Sequence, residues 1–583
     1  MLMSTGSSSP SSSMSERPSA PLRSGPGHPS CRYPWPDPLS GPCDLLPILE
    51  MTLPDRTTRF RLPLLAALAL AGCAREAPCP RCDAIVVAAT GEPPFLLPPL
   101  VGETVGRDIG DQVFERLADL APGGAPVDPE AYRPRLAARW ERADSLTLRF
   151  TLRPGARWHD GRPVTAADVA FSFAAFRDPV LDAPARGALE RIAEVTADDA
   201  ATVRVRFREA YPEQLYDATW HVRVIPAHVW QGIPVAQWRA DTAVARLVGS
   251  GPYRVASWTR GQSLTLVADT SGGRRARIGT AVWRFAADPD AALNLVLARE
   301  ADLMEAVISP DRVARVEADP GLRAVRYPAA VYGFLGFRLG TRSPLADRVV
   351  RRALAHAVDR QAVAVAIFGP GAKAPPGPMS QLQWTWDDSI AVLAFDTARA
   401  ARLLDGAGWV AGADGLRRKG GRALVVDILV PSTSGGRRRL AEVLQERWRA
   451  VGVGATITAV DFPVFLERVA QGKFESYIGA SLDEPSPRGL AEQWTAAGIG
   501  RLNHGRYASP AFDRLLADAL AASDTATARR RFREAFDTLN ADVPALFLYA
   551  PVNVAAVSRR VEGLVIDPFS WIGGLPAVTL ARD

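Results

Sequence analysis

Cysteine is scarce in this sequence and is confined to its beginning. All five cysteines lie within the first 82 of the 583 residues. A folded body without thiols has neither a disulfide framework nor a cysteine-based metal site. The sequence therefore excludes small disulfide-stabilised domains and zinc-finger spacings, and it limits sulfur chemistry to the N-terminal region.

Lysine is also nearly absent, because Lys373, Lys419 and Lys473 are the only ones. The formal charge of +6, from 69 basic and 63 acidic residues, is therefore carried by arginine. The arginine clusters at 437–439 and 529–531 lie at the starts or sides of amphipathic helical patterns, which indicates solvated faces. No aromatic stacking platform or helix-turn-helix spacing accompanies them, so the sequence argues against nucleic acid as a partner.

Motifs for enzyme chemistry are missing. The sequence contains no GxSxG, HExxH, Walker loop or dinucleotide fingerprint, so it predicts no catalytic residue, no metal ligand and no cofactor. A secreted two-lobed hydrolase would need such a site, and a ligand-sensing module would need an attached DNA-binding or signalling domain. Both classes of protein stay open on these observations.

One apolar run, Leu62 to Ala71, follows a cationic segment at 56–61 and is too short for a permanent membrane span. It ends in Leu70-Ala71-Gly72-Cys73, which resembles the lipobox of bacterial lipoproteins. That resemblance implies that Cys73 is acylated and becomes the first mature residue. The alternative is a plain secretory signal with an unrelated cysteine. Either interpretation takes the protein out of the cytoplasm.

The N-terminal region thus divides into three predicted segments. They are a disordered or upstream stretch at 1–50, with Met51 as a plausible true start, a lipoprotein signal peptide at 51–72 and a tether at 73–83. Cys79 and Cys82 lie in this proline-rich tether, without the strand and helix that a thioredoxin-like motif requires. We predict a local disulfide or an idle pair there, without a function.

The body has the composition of a globular protein, 47% hydrophobic and 23% charged, and its length predicts about three or four structural units. Strand patterns such as SLTLRFTL alternate with helical patterns along most of the chain, which indicates the α/β class. One continuous helix is predicted for ADRVVRRALAHAVDRQAVAVAIF. Its predicted inner residues are Val349, Ala353 and Ala357, and its predicted outer residues are Arg348, Arg351 and Arg352.

The stretch RPGARWHDGRPVTAADV at 153–169 raises the question of catalysis, because His159 adjoins Asp160. Adjacent residues of an extended segment point to opposite faces, so they do not easily share one substrate or ion. Two turn signals and a capping box of Thr165 and Asp168 indicate strand, turn, turn and capped helix instead. We interpret the stretch as structural.

The longer segment FTLRPGARWHDGRPVTAADVAFSF at 150–173 resembles, almost completely, a signature of the large extracytoplasmic solute-binding proteins of ABC transporters, the family that includes oligopeptide-, dipeptide- and nickel-binding proteins. Further similar segments follow in the family's order, including GSGPYRV, RRALAHAVDR, ARLLDGAGW and GRYASPAFDRLL. The resemblance implies an α/β, two-lobed, type II periplasmic-binding-protein-like fold of the large three-subdomain variant, with a ligand cleft between the lobes. By analogy, lobe I has a core at 84–110, 249–328 and 550–583 and a subdomain at 111–248, and lobe II spans 329–549.

The resemblance also implies a site. Peptide-binding members pair the ligand's α-amino group with an aspartate in a Trp-x-x-Asp-x-x-Asp-Pro segment, and here GASLDEPSP offers Asp483 without the tryptophan. Asp483 has the alternative of an exposed turn carboxylate. The further candidates are Arg468 for a ligand carboxylate, and Trp384 and Trp494 as cleft aromatics; each has the alternative of a packing or solvating role.

The implied function is to bind a small solute, most of all a peptide or similar amine-bearing compound, and to deliver it to an ABC permease. The implied partners are therefore the ligand, the permease subunits and, through a lipid anchor, a bacterial membrane. We expect a monomer in the periplasm or elsewhere outside the cytoplasm.

Overall fold

Two large mixed sheets and one smaller sheet organise the chain, in a computed structural model that describes residues 83–271, 274–307, 309–340 and 342–581. The first-lobe sheet has seven strands. In spatial order they are Leu322–Pro328, Val552–Ser558, Leu303–Met304, Ala84–Thr90, Thr280–Ala286, Ser263–Ala268 and Tyr253–Thr259. Its three central strands run parallel and its outer pairs are antiparallel.

The second-lobe sheet has five strands. In spatial order they are Gly454–Val460, Val425–Pro431, Ser476–Leu482, Val331–Phe337 and Ala545–Tyr549. Apolar side chains are buried on both faces, in two separate clusters that contain Ile428 on one side and Leu429 on the other. Burial on both faces explains why these strands are nearly continuous apolar runs in the sequence.

A four-stranded antiparallel sheet lies within the predicted subdomain at 111–248. In spatial order its strands are Ala137–Asp144, Thr147–Leu152, Thr202–Phe207 and Ile192–Ala197. The remaining short strands are Ala118–Leu120, Tyr132–Pro134, Val410–Ala411, Arg417–Lys419, Arg422–Ala423, Val561–Glu562 and Thr579–Leu580. The predicted alternation is confirmed, since Leu148, Phe150 and Leu152 all enter one buried cluster.

Helices cover these sheets. The α-helices among the described residues are Thr104–Val113, Ala166–Arg177, Gln214–Thr219, Ala227–Trp230, Pro289–Leu297, Pro310–Ala318, Arg348–His356, Arg360–Phe368, Thr397–Gly406, Gly435–Arg449, Phe462–Ala470, Gly489–Trp494, Pro510–Ala521 and Thr525–Asp542. Short 3₁₀ turns occupy Pro98–Leu100, Pro129–Ala131, Gly187–Leu189, Val235–Ala240, Val244–Arg246, Pro344–Ala346, Ala496–Gly498 and Leu575–Ala577. The α/β class is therefore confirmed.

The stretch at 153–169 has the predicted structural role. The Thr165 side chain accepts from the Asp168 backbone, and the Asp168 carboxylate accepts in return from the Thr165 N–H at 2.8 Å, which is a capping box. His159 Nδ1 accepts from the Gly249 N–H at 3.1 Å, whereas Asp160 contacts His228 at 2.7 Å. Burial lowers the pKa of His159. The two neighbours thus serve different contacts.

The prediction of one continuous helix at 346–368 is wrong in two respects. It is two helices, separated at 357–359, because the Asp359 side chain accepts from the Ala362 N–H at 3.0 Å and starts a new helix. Arg351, predicted to face solvent, is buried and donates to the carbonyls of Asp542 and Val543 at 2.8 Å each. These carbonyls end the helix Thr525–Asp542 and lack partners inside it, so a buried guanidinium satisfies them.

The predicted segments before residue 83 lie outside the described residues, and so do Cys73, Cys79 and Cys82. Within the described ranges, every helix is too short or too polar to cross a bilayer.

Candidate functional site

Asp483 directly follows the strand Ser476–Leu482 of the second-lobe sheet. Its N–H donates to the Ala330 carbonyl at 2.9 Å. Its carboxylate accepts from the Ser380 N–H at 2.7 Å and from the Gln383 side chain at 3.1 Å. Burial raises the pKa of Asp483, and the hydrogen bonds from Ser380 and Gln383 only partly offset this effect. The segment therefore holds a half-buried carboxyl group in a defined orientation at the end of a strand.

The strand that leads to Asp483 has one open edge. It pairs with Val331–Phe337 along its whole length, but with Val425–Pro431 only through Ser476 and Tyr477. Neighbouring residues of an antiparallel pair direct their main-chain groups to opposite sides. Because the Asp483 N–H points to the Val331 side, the N–H and C=O groups of Ala480 and Leu482 point to the open side.

A cavity of about 430 Å³ lies against this edge. Large apolar side chains on its rim are exposed, with Leu482 at 82%, Leu502 at 52%, Leu466 at 50% and Phe462 at 43%. A cluster of exposed apolar side chains around a concavity is typical of a surface that binds a ligand or a partner. The cavity thus combines an open strand edge, an oriented carboxyl group and apolar walls.

A positive charge also lines this cavity. Arg437, in the helix Gly435–Arg449, contributes to its wall and forms a side-chain hydrogen bond with Tyr549. The prediction that the 437–439 cluster is solvated holds for the exposed Arg438 and Arg439 but not for Arg437, which is half-buried. Helical periodicity alone could not separate the three, because the cavity is formed by segments distant in sequence.

The other predicted site residues lie outside the lining of this cavity. Trp384 is buried; its ring packs edge-on against Phe532 with centroids 5.6 Å apart, and its Nε1 donates to the Pro485 carbonyl at 3.1 Å. Trp494 is buried against the Phe334 ring, with a centroid distance of 5.3 Å. Arg468 is half-buried on the helix Phe462–Ala470. A role in solute binding for these three residues stays a prediction.

Five residues beyond Asp483, Arg488 joins the second lobe to the subdomain. Its guanidinium lies 2.7 Å from Glu213 and donates to both carboxylate oxygens of Asp217, one of them at 2.9 Å. Ser486 also donates to Glu213, at 2.6 Å. Asp217 is fully buried and Glu213 nearly so. The segment that carries Asp483 is thereby tied to the other lobe by an ion pair that sequence reasoning missed, since 271 residues separate Arg488 from Asp217.

A larger cavity of about 1170 Å³ lies between the subdomain and the second lobe. Arg488 and Ala491 are among the residues that line it. It does not contain Asp483 or the open strand edge. In the described part of the chain, no group of three or more His, Cys, Asp or Glu side chains is arranged to hold a metal ion. We therefore take the 430 Å³ cavity as the candidate site.

Comparison with known proteins identifies the family. Residues 131–499 match the model of the bacterial extracellular solute-binding proteins, family 5, middle region. The chain belongs to this family. Its members are the solute-binding proteins of ABC transporters, so the family member described here is a binding protein of the extracytoplasmic space.

Similar proteins cover most of this family member. Protein XP55 of Streptomyces lividans is 28% identical over 488 residues, which are 83% of this chain and 86% of that protein. The dipeptide-binding protein of Escherichia coli is 24% identical over 484 residues, 78% of this chain and 87% of that protein. The oligopeptide-binding protein AppA of Bacillus subtilis, solved with a nonapeptide, superposes with a TM-score of 0.66 at 21% identity, covering 86% of this chain and 99% of AppA. The predicted two-lobed fold is confirmed.

Proposed function

We propose that this protein binds a peptide with a free amino terminus outside the cytoplasm and delivers it to the permease of an ABC transporter. The observation that carries the proposal is the open edge of Ser476–Leu482, which ends at Asp483. An extended peptide satisfies such an edge by adding a strand, and its own backbone supplies the hydrogen bonds whatever its side chains are. A sugar or an isolated ion offers no such ladder.

Charge at the site supports the same class of solute. The Asp483 carboxylate suits a peptide ammonium group, and the Arg437 guanidinium suits a carboxylate. The apolar rim provides contacts for side chains without selecting one sequence. The main-chain edge, the two charges and the rim together fit a peptide.

A panel of solutes tests the proposal by thermal unfolding. We expect a free tri- to pentapeptide to raise the melting temperature, because a solute at one hundred times its Kd stabilises the folded state by about 2.7 kcal/mol. The same peptide with an acetylated amino terminus is the matched control and should stabilise much less, since it cannot form the ion pair with Asp483. Amino acids, sugars and metal chelates complete the panel, and each bound solute is recovered and analysed by mass spectrometry.

Two results would contradict the proposal. Equal stabilisation by the free and acetylated peptides would remove the role of the amino terminus. Recovery of the peptide in cleaved form would favour the hydrolase alternative over transport.

We further propose that the protein is tethered to a bacterial membrane by acylation of Cys73, after removal of residues 51–72 as a signal peptide. The cationic segment, the short apolar run and the Leu-Ala-Gly-Cys ending support this proposal. A single polypeptide with a lipid tether at its mature N-terminus would work as a monomer beside the permease.

Replacement of the lipid-bearing residue tests the anchor. We expect Cys73→Ser to abolish incorporation of labelled palmitate and to move the protein from the membrane fraction to the soluble fraction, because the acyl chains supply the membrane affinity. Cys79→Ser, in the same tether, is the control. It should incorporate palmitate and remain in the membrane fraction as the wild-type protein does. Retention of label by the Cys73→Ser protein would refute acylation at this residue.

A further inference from the structure

A second, strongly charged cavity lies in the first lobe, where the subdomain meets the C-terminal segment. Its volume is about 300 Å³. The side chains of Arg116, Arg133, Arg135 and Arg274 line it. This concentration of guanidinium groups is unusual in an enclosed space, because like charges repel each other and lose hydration there.

The acidic residues of this cavity are largely engaged by arginines. Asp111 pairs with Arg116 at 3.4 Å and with Arg223 at 2.5 Å. Asp119 lies 2.5 Å from Arg135 and 3.5 Å from Arg116. The carboxylates of Asp111 and Asp119 neutralise the arginines with which they pair. They are therefore not available to the other arginines of the cavity.

The remaining lining acids are Glu115 and Asp567. Glu115 accepts from both terminal nitrogens of Arg153, at 2.8 and 3.1 Å. Asp567 accepts from the Phe569 N–H at 3.0 Å, and burial raises its pKa, which favours the uncharged form.

Positive charge is therefore left over. Neither Arg133 nor Arg274 forms an ion pair within the described ranges, although both line the cavity. Arg116 is 9% exposed, and its Nε atom is buried without a hydrogen-bond partner. Burial and the neighbouring Arg135 and Arg153 lower the pKa of Arg274, and the carboxylates of Glu115 and Asp119 only partly offset this effect.

We propose that this cavity is a binding site for a small oxyanion of the phosphate class. The planar guanidinium groups of the exposed Arg133 and the half-buried Arg274 can each present two N–H donors to the oxygens of a phosphate group. With Arg153 and Arg223, which pair with Glu115 and Asp111, six arginines face four carboxyl groups, so an anion also cancels an excess of positive charge. This site is separate from the peptide site, since the two cavities share no residue.

The position of the cavity connects it with the junction of the lobes. Leu120, Trp220 and Asp567 line it and also line a small gap that Trp384 and Pro485 of the second lobe close from the other side. Pro485 follows Asp483 by two residues. A bound phosphate-class anion would thus stabilise the part of the first lobe that contacts the segment of Asp483 and Pro485.

Inorganic phosphate is the probe for this site. We expect phosphate, titrated into the full chain at constant ionic strength, to raise the melting temperature and to give a saturable calorimetric signal. Arg274→Gln and Arg133→Gln should each weaken phosphate binding about tenfold, because each removes a charge-assisted hydrogen bond. Arg139→Gln removes the same charge from an exposed subdomain strand outside this cavity and should change the affinity less than twofold.

Additional variants distinguish a specific phosphate site from general charge effects. Arg274→Lys keeps the positive charge but lacks the planar guanidinium group. Its affinity for phosphate should lie between those of the wild type and Arg274→Gln. Circular dichroism of each variant reports that it has folded, and Asp483→Asn should leave phosphate binding intact. The proposal is overturned if phosphate stabilises the wild-type chain no more than chloride of equal ionic strength does, or if Arg139→Gln weakens binding as much as Arg274→Gln.

Discussion

Asp483→Asn is expected to weaken the binding of a free peptide about 50-fold. A hydrogen bond to a charged partner contributes about 1.5–3 kcal/mol, and each 1.4 kcal/mol is a factor of ten in affinity. The substitution keeps the shape of the side chain and an oxygen that can still accept from Ser380, so the local structure should persist. Isothermal titration with one peptide, on both proteins at one ionic strength, measures the ratio.

Glu484→Gln is the matched control, since Glu484 is the exposed neighbour of Asp483 and lines the same cavity. Exposed ion pairs contribute at most about 1 kcal/mol, so this variant should lose less than fivefold. Wild-type affinity in Asp483→Asn, or an equal loss in both variants, would refute the assigned role of Asp483.

The pH dependence of binding provides an independent readout of the same residue. Burial raises the pKa of Asp483 above the usual aspartate value. Only the ionised carboxylate attracts an ammonium group, so peptide affinity should be highest above this pKa and should fall as the pH falls through it. In Asp483→Asn this decrease should disappear, and a decrease that persists there would point to another titrating group.

Arg488→Met is expected to destabilise the protein by about 3 kcal/mol. The substitution removes the cation that pairs with Asp217, 0% exposed, and with Glu213, 3% exposed, and breaking a buried ion pair in this way costs about 3–5 kcal/mol. Asp217 keeps the hydrogen bond from Tyr211, and Glu213 keeps the one from Ser486, so part of this cost is avoided. Arg488 itself is 23% exposed in its side chain, which places the expected value at the lower end. Urea unfolding followed by fluorescence and circular dichroism measures the change.

Arg501→Met supplies the comparison, because Arg501 pairs with Glu492 in the same lobe on the exposed surface, at 3.0 Å. This variant should lose less than about 1 kcal/mol. A double-mutant cycle of Arg488→Met with Asp217→Asn should show a favourable coupling between the two sites. Additive losses would mean that the ion pair between the lobes does not contribute to stability.

Acid should reduce the effect of Arg488→Met. Burial acts to raise the pKa of Asp217, but the hydrogen bonds from His221 and Arg488 and the charge of Arg488 outweigh it, and the pKa lies below the usual value. A carboxyl group of this kind contributes stability above its unfolded-state pKa, and the contribution is lost as the pH falls through the folded-state pKa. Below that pH the wild-type and variant proteins should therefore approach each other in stability.

Local patterns in the sequence were sufficient for the class of fold and for many elements. The capping box of Thr165 and Asp168 and the alternation in Thr147–Leu152 depend on residues within a few positions of each other, and both appear as predicted. The order of the family's motifs extends this local information to the two-lobed architecture. Asp483 could also be named from the sequence, because its segment is a run of adjacent residues, and its role in binding stays a prediction.

Tertiary structure alone decided the environment of the arginines and the open strand edge. Arg351, Arg437 and Arg488 occupy similar helical or turn contexts in the sequence, yet one satisfies the end of a distant helix, one lines a cavity and one joins the lobes. The edge beside Ala480 is open because Val425–Pro431 pairs with only the first two residues of its neighbour. Such properties depend on which distant segments come into contact. A local sequence pattern carries no information about these long-range contacts.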